Sequence, residues 1–242
     1  MARTSPEAWY WSYDIKPEDI DSVLMPGVRL VRLSSYRKGT SPRLAALMYR
    51  EPGPARRHVL DLSAAAAAEL VQKSGERPVS ITADPGEGEP RFSLVLETGP
   101  GPATSLHFDL DDAAARALLD DQHGLADLAV YAAGGARRFA VIREERAGSS
   151  WLFTGVAAHD LDAKLLERGA ALVRVRAYTE GGRQLFAAVA ERGQPTGWSW
   201  YAGIDADAVA RNLEVNSAFP VDLEAVRDDR GLRFNVVMYR GA

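Results

Sequence analysis

Arg138-Phe139-Ala140-Val141-Ile142 returns with small changes four more times: Arg43-Leu44-Ala45-Ala46-Leu47, Arg91-Phe92-Ser93-Leu94-Val95, Leu185-Phe186-Ala187-Ala188-Val189 and Arg233-Phe234-Asn235-Val236-Val237. Leu44, Phe92, Phe139, Phe186 and Phe234 stand 48, 47, 47 and 48 residues apart. Tyr36, Asp84, Tyr131, Tyr178 and Val226 keep the same intervals. A fixed period of this size marks an array of like units rather than independent elements. The 242 residues divide into units 9–54, 55–102, 103–148, 149–196 and 197–242. One such unit buries too little surface to hold itself together, so the five are expected to share a core as one domain spanning 1–242.

Working outward from the repeated phrase, each unit reads as strand A, helix, strand B, turn, strand C. Strand A is aromatic in the first and fifth units, Trp9-Tyr10-Trp11-Ser12-Tyr13 and Trp198-Ser199-Trp200-Tyr201. Helix starts are marked by Pro17 and by the N-cap residues Ser63, Asp111 and Asp205. Ile20 with Leu24, Leu161 with Leu165, and Val209 with Leu213 are apolar i, i+4 pairs, and Gly27, Gly75 and Gly169 fall where C-caps belong. Strand B alternates: Val31 and Leu33, Val79 and Ile81, Val173 and Val175, Val221 and Leu223 are expected on one face. Arg32, Ser80, Asp127, Arg174 and Asp222 fall on the other. Hairpin turns follow at Lys38-Gly39-Thr40, Gly86-Glu87-Gly88, Gly134-Gly135, Gly181-Gly182 and Arg230-Gly231. Strand C is apolar on both faces and is expected inside its sheet.

Composition narrows the function classes. There are 29 basic and 33 acidic residues, a net charge of −4, which gives no basic footprint for nucleic acid. The chain has no cysteine, which excludes disulfides and thiol chemistry. No apolar run reaches the length of a membrane span. The first unit starts by Trp9, so no signal peptide is expected and the cytoplasm is the default location.

The fold class expected is α/β, or α+β, with five βαββ units. Complete first and last units favour closure into a pseudo-fivefold α/β propeller, pentein-like in outline, over an open stack with polar caps. The phrases Trp198-Ser199-Trp200-Tyr201-Ala202-Gly203-Ile204 and Ala170-Ala171-Leu172-Val173-Arg174-Val175-Arg176-Ala177-Tyr178, with Leu185-Phe186-Ala187-Ala188-Val189, resemble a bacterial tandem-repeat domain family. That family is related to the N-terminal repeat region of fungal polyglycine hydrolases. The resemblance implies an isolated repeat module, with no hydrolase domain expected within these 242 residues.

The candidate chemistry is sparse. Ser35-Tyr36-Arg37-Lys38 has Ser-x-x-Lys spacing, but at a strand end instead of a helix start. His58, His107, His123 and His159 lack ligand spacing, so no metal and no cofactor is expected. Asp14, Asp61 and Asp109 share a position with Gly155 and Gly203, which points to a tight or left-handed backbone ahead of each helix. Two surfaces stand out. One is a polar ring of Arg32, Asp127, Arg174 and Asp222, with Arg176 and Glu224 two residues on, read either as an inter-unit salt-bridge belt or as a pocket for a zwitterionic or peptide ligand. The other gathers Trp9, Trp11, Trp198 and Trp200, read as sheet packing or as a ligand platform. The expectation is a non-catalytic module binding a peptide, a protein or a small polar ligand, with no catalytic residues. The alternatives are an enzyme or accessory subunit using an axial polar cavity, and a carbohydrate-binding module.

Overall fold

The computed structural model describes residues 5–86, 88–192 and 197–241; Glu87 in the second hairpin turn lies outside them. The described residues form five three-stranded antiparallel sheets, each with its third strand in the middle. They are β1 (Ala8–Ile15), β2 (Val28–Lys38) and β3 (Ser41–Arg50); β4 (Arg56–Leu62), β5 (Arg77–Ala83) and β6 (Phe92–Glu97); β7 (Thr104–Leu110), β8 (His123–Ala133) and β9 (Ala136–Glu145); β10 (Ser150–Val156), β11 (Ala170–Glu180) and β12 (Arg183–Arg192); β13 (Trp198–Ile204), β14 (Ala218–Asp228) and β15 (Gly231–Arg240). The doubly apolar strands take the middle because both of their faces are covered; β6 is buried at every residue. Turn chemistry sets the hairpins. Gly134 and Gly135 have φ of 59° and 74°, and Gly181 and Gly182 have 58° and 74°. That pair of left-handed residues is what a two-residue turn between twisted strands demands.

Between the first and second strands of each unit runs a helix: α1 (Ala64–Ser74), α2 (Asp112–Arg116), α3 (Ala158–Arg168) and α4 (Ala206–Val215), with a 3-10 helix at Pro17–Val23 in the first unit. Ser63, Asp111 and Asp205 cap as expected, accepting from the N–H of Ala66, Ala114 and Ala208. Gly75 and Gly169 end α1 and α3 in the left-handed conformation. The first unit departs from the expectation of an α-helix. Lys16 offers no side-chain cap, Leu24 is the C-cap, and the seven-residue segment tightens into 3-10 geometry. Gly27, at φ 73°, instead serves the turn into β2.

Two bulges recur in every unit, and neither is visible as a break in the apolar pattern. In the first strand, the register skips between Ser12 and Ile15, and again at the four equivalent places. Asp14, Asp61, Asp109, Gly155 and Gly203 sit there with φ of 57°, 58°, 57°, 70° and 63°. The left-handed backbone is as expected, but it belongs to a bulge inside the strand and not to the helix-entry turn. Tyr36, Tyr131 and Tyr178 hold it, their hydroxyls accepting from the N–H of Asp14, Asp109 and Gly155. The fifth unit has Val226 where the tyrosine would be, and Asn235 Oδ1 accepts from Gly203 N–H instead. Replacing Gly203 with alanine is expected to cost about 1–2 kcal/mol, measured by urea unfolding, because L-residues resist this conformation. A Cβ would meet only Arg230 Nη2 at 3.5 Å, so the loss would come from the backbone and not from a clash.

The second bulge lies in β2, β5, β8, β11 and β14 at Val31, Val79, Ala126, Val173 and Val221. It overturns the strict alternation expected there. Val31 and Leu33 join different apolar clusters, Val31 with Val173 and Val221, Leu33 with Ile15 and Ile20, and Val221 and Leu223 are likewise divided, whereas Val173 and Val175 stay together. An extra residue in one strand frees its carbonyl from the ladder, and these freed groups build the site described next.

The first and fifth units touch. Trp9 and Trp11 pack on the cluster that contains Val236 and Met238, and Trp11 meets Phe234 edge-to-face at 5.5 Å. Tyr49 donates its hydroxyl proton to Pro220 O. Among the described residues no helix is long and apolar enough to cross a membrane.

Candidate functional site

The second strands of the five units, here called the inner strands, are edge strands of separate sheets, so one row of N–H and C=O groups on each has no ladder partner. Side chains supply the missing partners in three layers. At the bulges, Arg32 Nη1 donates to Val31 O and Val79 O at 2.8 and 2.7 Å. Arg174 donates to the other three bulge carbonyls, Ala126 and Val221 at 2.9 and 3.5 Å and Val173. Two arginines thus serve five carbonyls.

One step along the strands, the carboxylates serve N–H groups. Asp127 accepts from Ile81 and Leu128, and Asp222 from Val175. Arg176 sits between them, donating to Asp222 and Asp127 at 2.7 Å each and to Leu128 O and Val175 O. Asp127 and Asp222 are fully buried, and Arg176 is 7% exposed. Burial works against the arginine's charge, but the carboxylates of Asp222, Asp127 and Glu224 outweigh it and hold the guanidinium well above its usual range. The spacing in sequence suggests Arg174 as the alternating partner. The structure gives that part to Arg176, with Arg174 Nε 3.7 Å from Asp127 and engaged mainly with carbonyls.

The third layer opens into a cavity of about 550 Å³. Thr82 accepts from Ser35 N–H, Ser34 from Ala225 N–H, and Glu224 Oε2 from Ala177 N–H. In each case a side chain of one unit serves the backbone of the unit before it, the first unit serving the fifth. Asn235 Nδ2 also donates to Glu224 Oε2, at 2.7 Å. Glu97, Asp127 and Asp222, the other buried carboxylates, each have an arginine within 4 Å. Glu224 has none among the described residues. Burial pushes its carboxyl up to about 7, against the pull of Arg176 and of the hydrogen bonds from Asn235 and Ala177.

That shift has a sign. A carboxyl whose pKa is raised from 4.5 to about 7 on folding binds its proton more tightly in the native state, so stability falls as pH rises through that window and is level above it. Glu224→Gln is expected to flatten this part of the stability curve, read as urea midpoints between about pH 5 and about pH 8. An unchanged slope would mean that Glu224 titrates normally.

A second cavity, about 690 Å³, lies at the other end of the inner strands, next to Arg32 and Arg174. Its mouth is an interlocked set of ion pairs in which Glu97 accepts from Arg29, Arg56 and Arg77, and Arg146 binds Glu144 and Glu191.

The remaining candidates are brought to no common centre. Lys38 pairs with Asp14 at 2.7 Å, and Ser35 holds Thr82 through its backbone, so the Ser-x-x-Lys spacing assembles no nucleophile. His58 lies 3.7 Å from Asp21, His107 contacts Ser105, His123 Asp120 and His159 Asp160. No group of three metal-ligating side chains gathers among the described residues. Trp9, Trp11, Trp198 and Trp200 do share one apolar cluster, but as half-buried packing. Trp200 meets Phe186 edge-to-face at 5.6 Å and donates Nε1–H to Asp162.

No family model matches the chain, and no curated protein matches it, so the resemblance to polyglycine hydrolase repeats rests on its own repeated phrases.

Proposed function

We propose that the chain is a binding module that takes a peptide or small polar ligand in the 550 Å³ cup above Glu224. The reading includes closure of the five units into a pseudo-fivefold propeller, with the inner strands around the axis. Closure is supported by the neighbours of those strands: β2 lies against both β5 and β14, β8 against β5 and β11, and β11 against β14. Kinship with the polyglycine hydrolase repeats belongs to the same proposal. The observation that carries the binding reading is Glu224 itself. A buried carboxylate with no cation within 4 Å among the described residues, at the base of an open cavity of ligand size, is a polar group held ready for a partner. The wall is mixed in character, with Tyr36, Tyr178 and Val226 beside Ser35 and Thr179.

Glu224 near neutrality also favours a second reading, an enzyme using it as acid or base. Against this, the adjoining Arg176 already donates to Asp127, Asp222, Leu128 O and Val175 O, and no nucleophile stands within a described hydrogen bond of Glu224. The carbohydrate reading is the weakest, because the tryptophan faces are used in packing between units.

The test is native mass spectrometry of the purified protein to identify the molecule it carries, followed by offering that molecule to Ala177→Trp, which fills the cup wall. Binding by the wild type and loss in a folded Ala177→Trp is the expected result. A ligand retained by Ala177→Trp, or no ligand carried at all, would overturn the cup as the binding site. Turnover of the ligand would move the reading to the enzyme.

A further inference from the structure

The capping scheme of the third layer has five equivalent N–H positions, Ser35, Ala83, Val130, Ala177 and Ala225, at the same 48, 47, 47 and 48 spacing. Three are capped by the next unit, through Thr82, Glu224 and Ser34. The residues that would cap the other two are Ala129 for Ala83 and Arg176 for Val130. Alanine has no acceptor, and a guanidinium only donates. Both N–H groups nevertheless turn away from their own sheets. Asp84 N–H donates to Arg91 O, so its neighbour Ala83 points its N–H to the opposite side, and Val130 holds the equivalent register. Ala83, Val130 and Glu224 all line the cup. One side therefore carries two adjacent backbone donors from the second and third units. Another side, from the fifth unit, carries a carboxylate whose Oε1 accepts from no described residue.

Backbone N–H groups left without an acceptor at the wall of a cavity are a ready seat for an anion, as in the backbone capture of a carboxylate. A carboxylate without its own cation is a seat for an ammonium. Resting on the binding reading above, we infer that the cup takes a small zwitterion, a free amino acid or short peptide, its ammonium on Glu224 Oε1 and its carboxylate on the N–H groups of Ala83 and Val130. Thr82 and Ser34 close the equivalent seats in the other units, which gives the ligand one orientation. Arg37, at the mouth, donates to Asp84 through Nε and Nη2 at 2.8 Å each and to Thr40 O through Nη1, so it does not compete for the carboxylate.

The test is isothermal titration with alanine, alanylalanine and trialanine, each also as its N-acetyl and its C-amide form. Wild type, Glu224→Gln and Ala129→Ser are compared at pH 8. In Ala129→Ser the new hydroxyl should accept from Ala83 N–H as Ser34 does from Ala225, blocking the carboxylate seat while leaving Glu224 intact. Wild type is expected to bind at least one free compound about tenfold more tightly than either blocked form. Glu224→Gln should lose the preference for the free amine and keep that for the free carboxylate; Ala129→Ser should do the reverse. Failure of all three free compounds to bind at millimolar concentration would overturn the inference, as would equal binding of the blocked forms. Neither result touches the binding reading, which stands or falls on the carried molecule and Ala177→Trp.

Discussion

Arg176→Met is expected to lower the stability of the whole chain by about 3–5 kcal/mol, the cost of breaking a buried ion pair by removing one partner. Arg176 is the shared cation of two fully buried carboxylates, Asp127 and Asp222, at 2.7 Å each. Without it Asp222 keeps only the N–H of Val175, since its Oδ1 already has no partner among the described residues. Asp127 would retain its two N–H donors and Arg174 at 3.7 Å. Methionine fills much of the same volume, so the loss would reflect charge and not a cavity. The measurement is urea unfolding at pH 7, with Asp222→Asn and the double variant completing a cycle. Asp222→Asn in the Arg176→Met background should recover part of the loss. Additive losses would mean that the pair is not coupled and that the belt between units is only apparent.

Phe234→Ala is expected to cost about 3–5 kcal/mol, the range for truncating a fully buried aromatic residue. Phe234 is 1% exposed in the middle strand of the fifth sheet, and the first unit packs on it through Trp11 and Tyr13, at 5.5 and 5.4 Å between ring centroids. Phe139 is equally buried in the third sheet, and the ring contacts described for Trp11 and Tyr13 are with each other and with Phe234. The two truncations should therefore cost similar amounts alone and differ in coupling. Trp11→Ala combined with Phe234→Ala should show an interaction of about 0.5–1.5 kcal/mol, and combined with Phe139→Ala close to none. Equal, negligible coupling in both cycles would mean that the seam between the first and fifth units contributes nothing specific.

The repeat, the order of elements in each unit, the glycine turns, three N-caps and two C-caps of the helices and the middle position of strand C can all be read from residues close in sequence. They depend on local backbone preference and on which faces are apolar, and those are written at spacings of two to four residues. The left-handed backbone at Asp14, Asp61 and Asp109 was legible for the same reason, through the glycines at the matching positions. The 3-10 helix at Pro17–Val23 and the bulges were not, because a bulge changes which partner a residue faces without changing its polarity.

The polar ring was legible as a set and not as a structure. Arg32, Asp127, Arg174, Arg176, Asp222 and Glu224 could be picked out as polar residues on apolar strands, but which of them meet depends on neighbours about 47 residues away. Tertiary structure alone made Arg176 the hub, moved Arg174 to the carbonyls of the bulges, and left Glu224 as the buried carboxylate with no arginine within 4 Å among the described residues. It also turned Ala83 and Val130, which carry no chemistry in their side chains, into donors at a cavity wall. The sequence by itself determined the five units, since each unit's local pattern suffices for its own sheet. Only the packing of one unit on the next decided the site, because desolvation and hydrogen-bond partnership arise between units and leave no local mark on the chain.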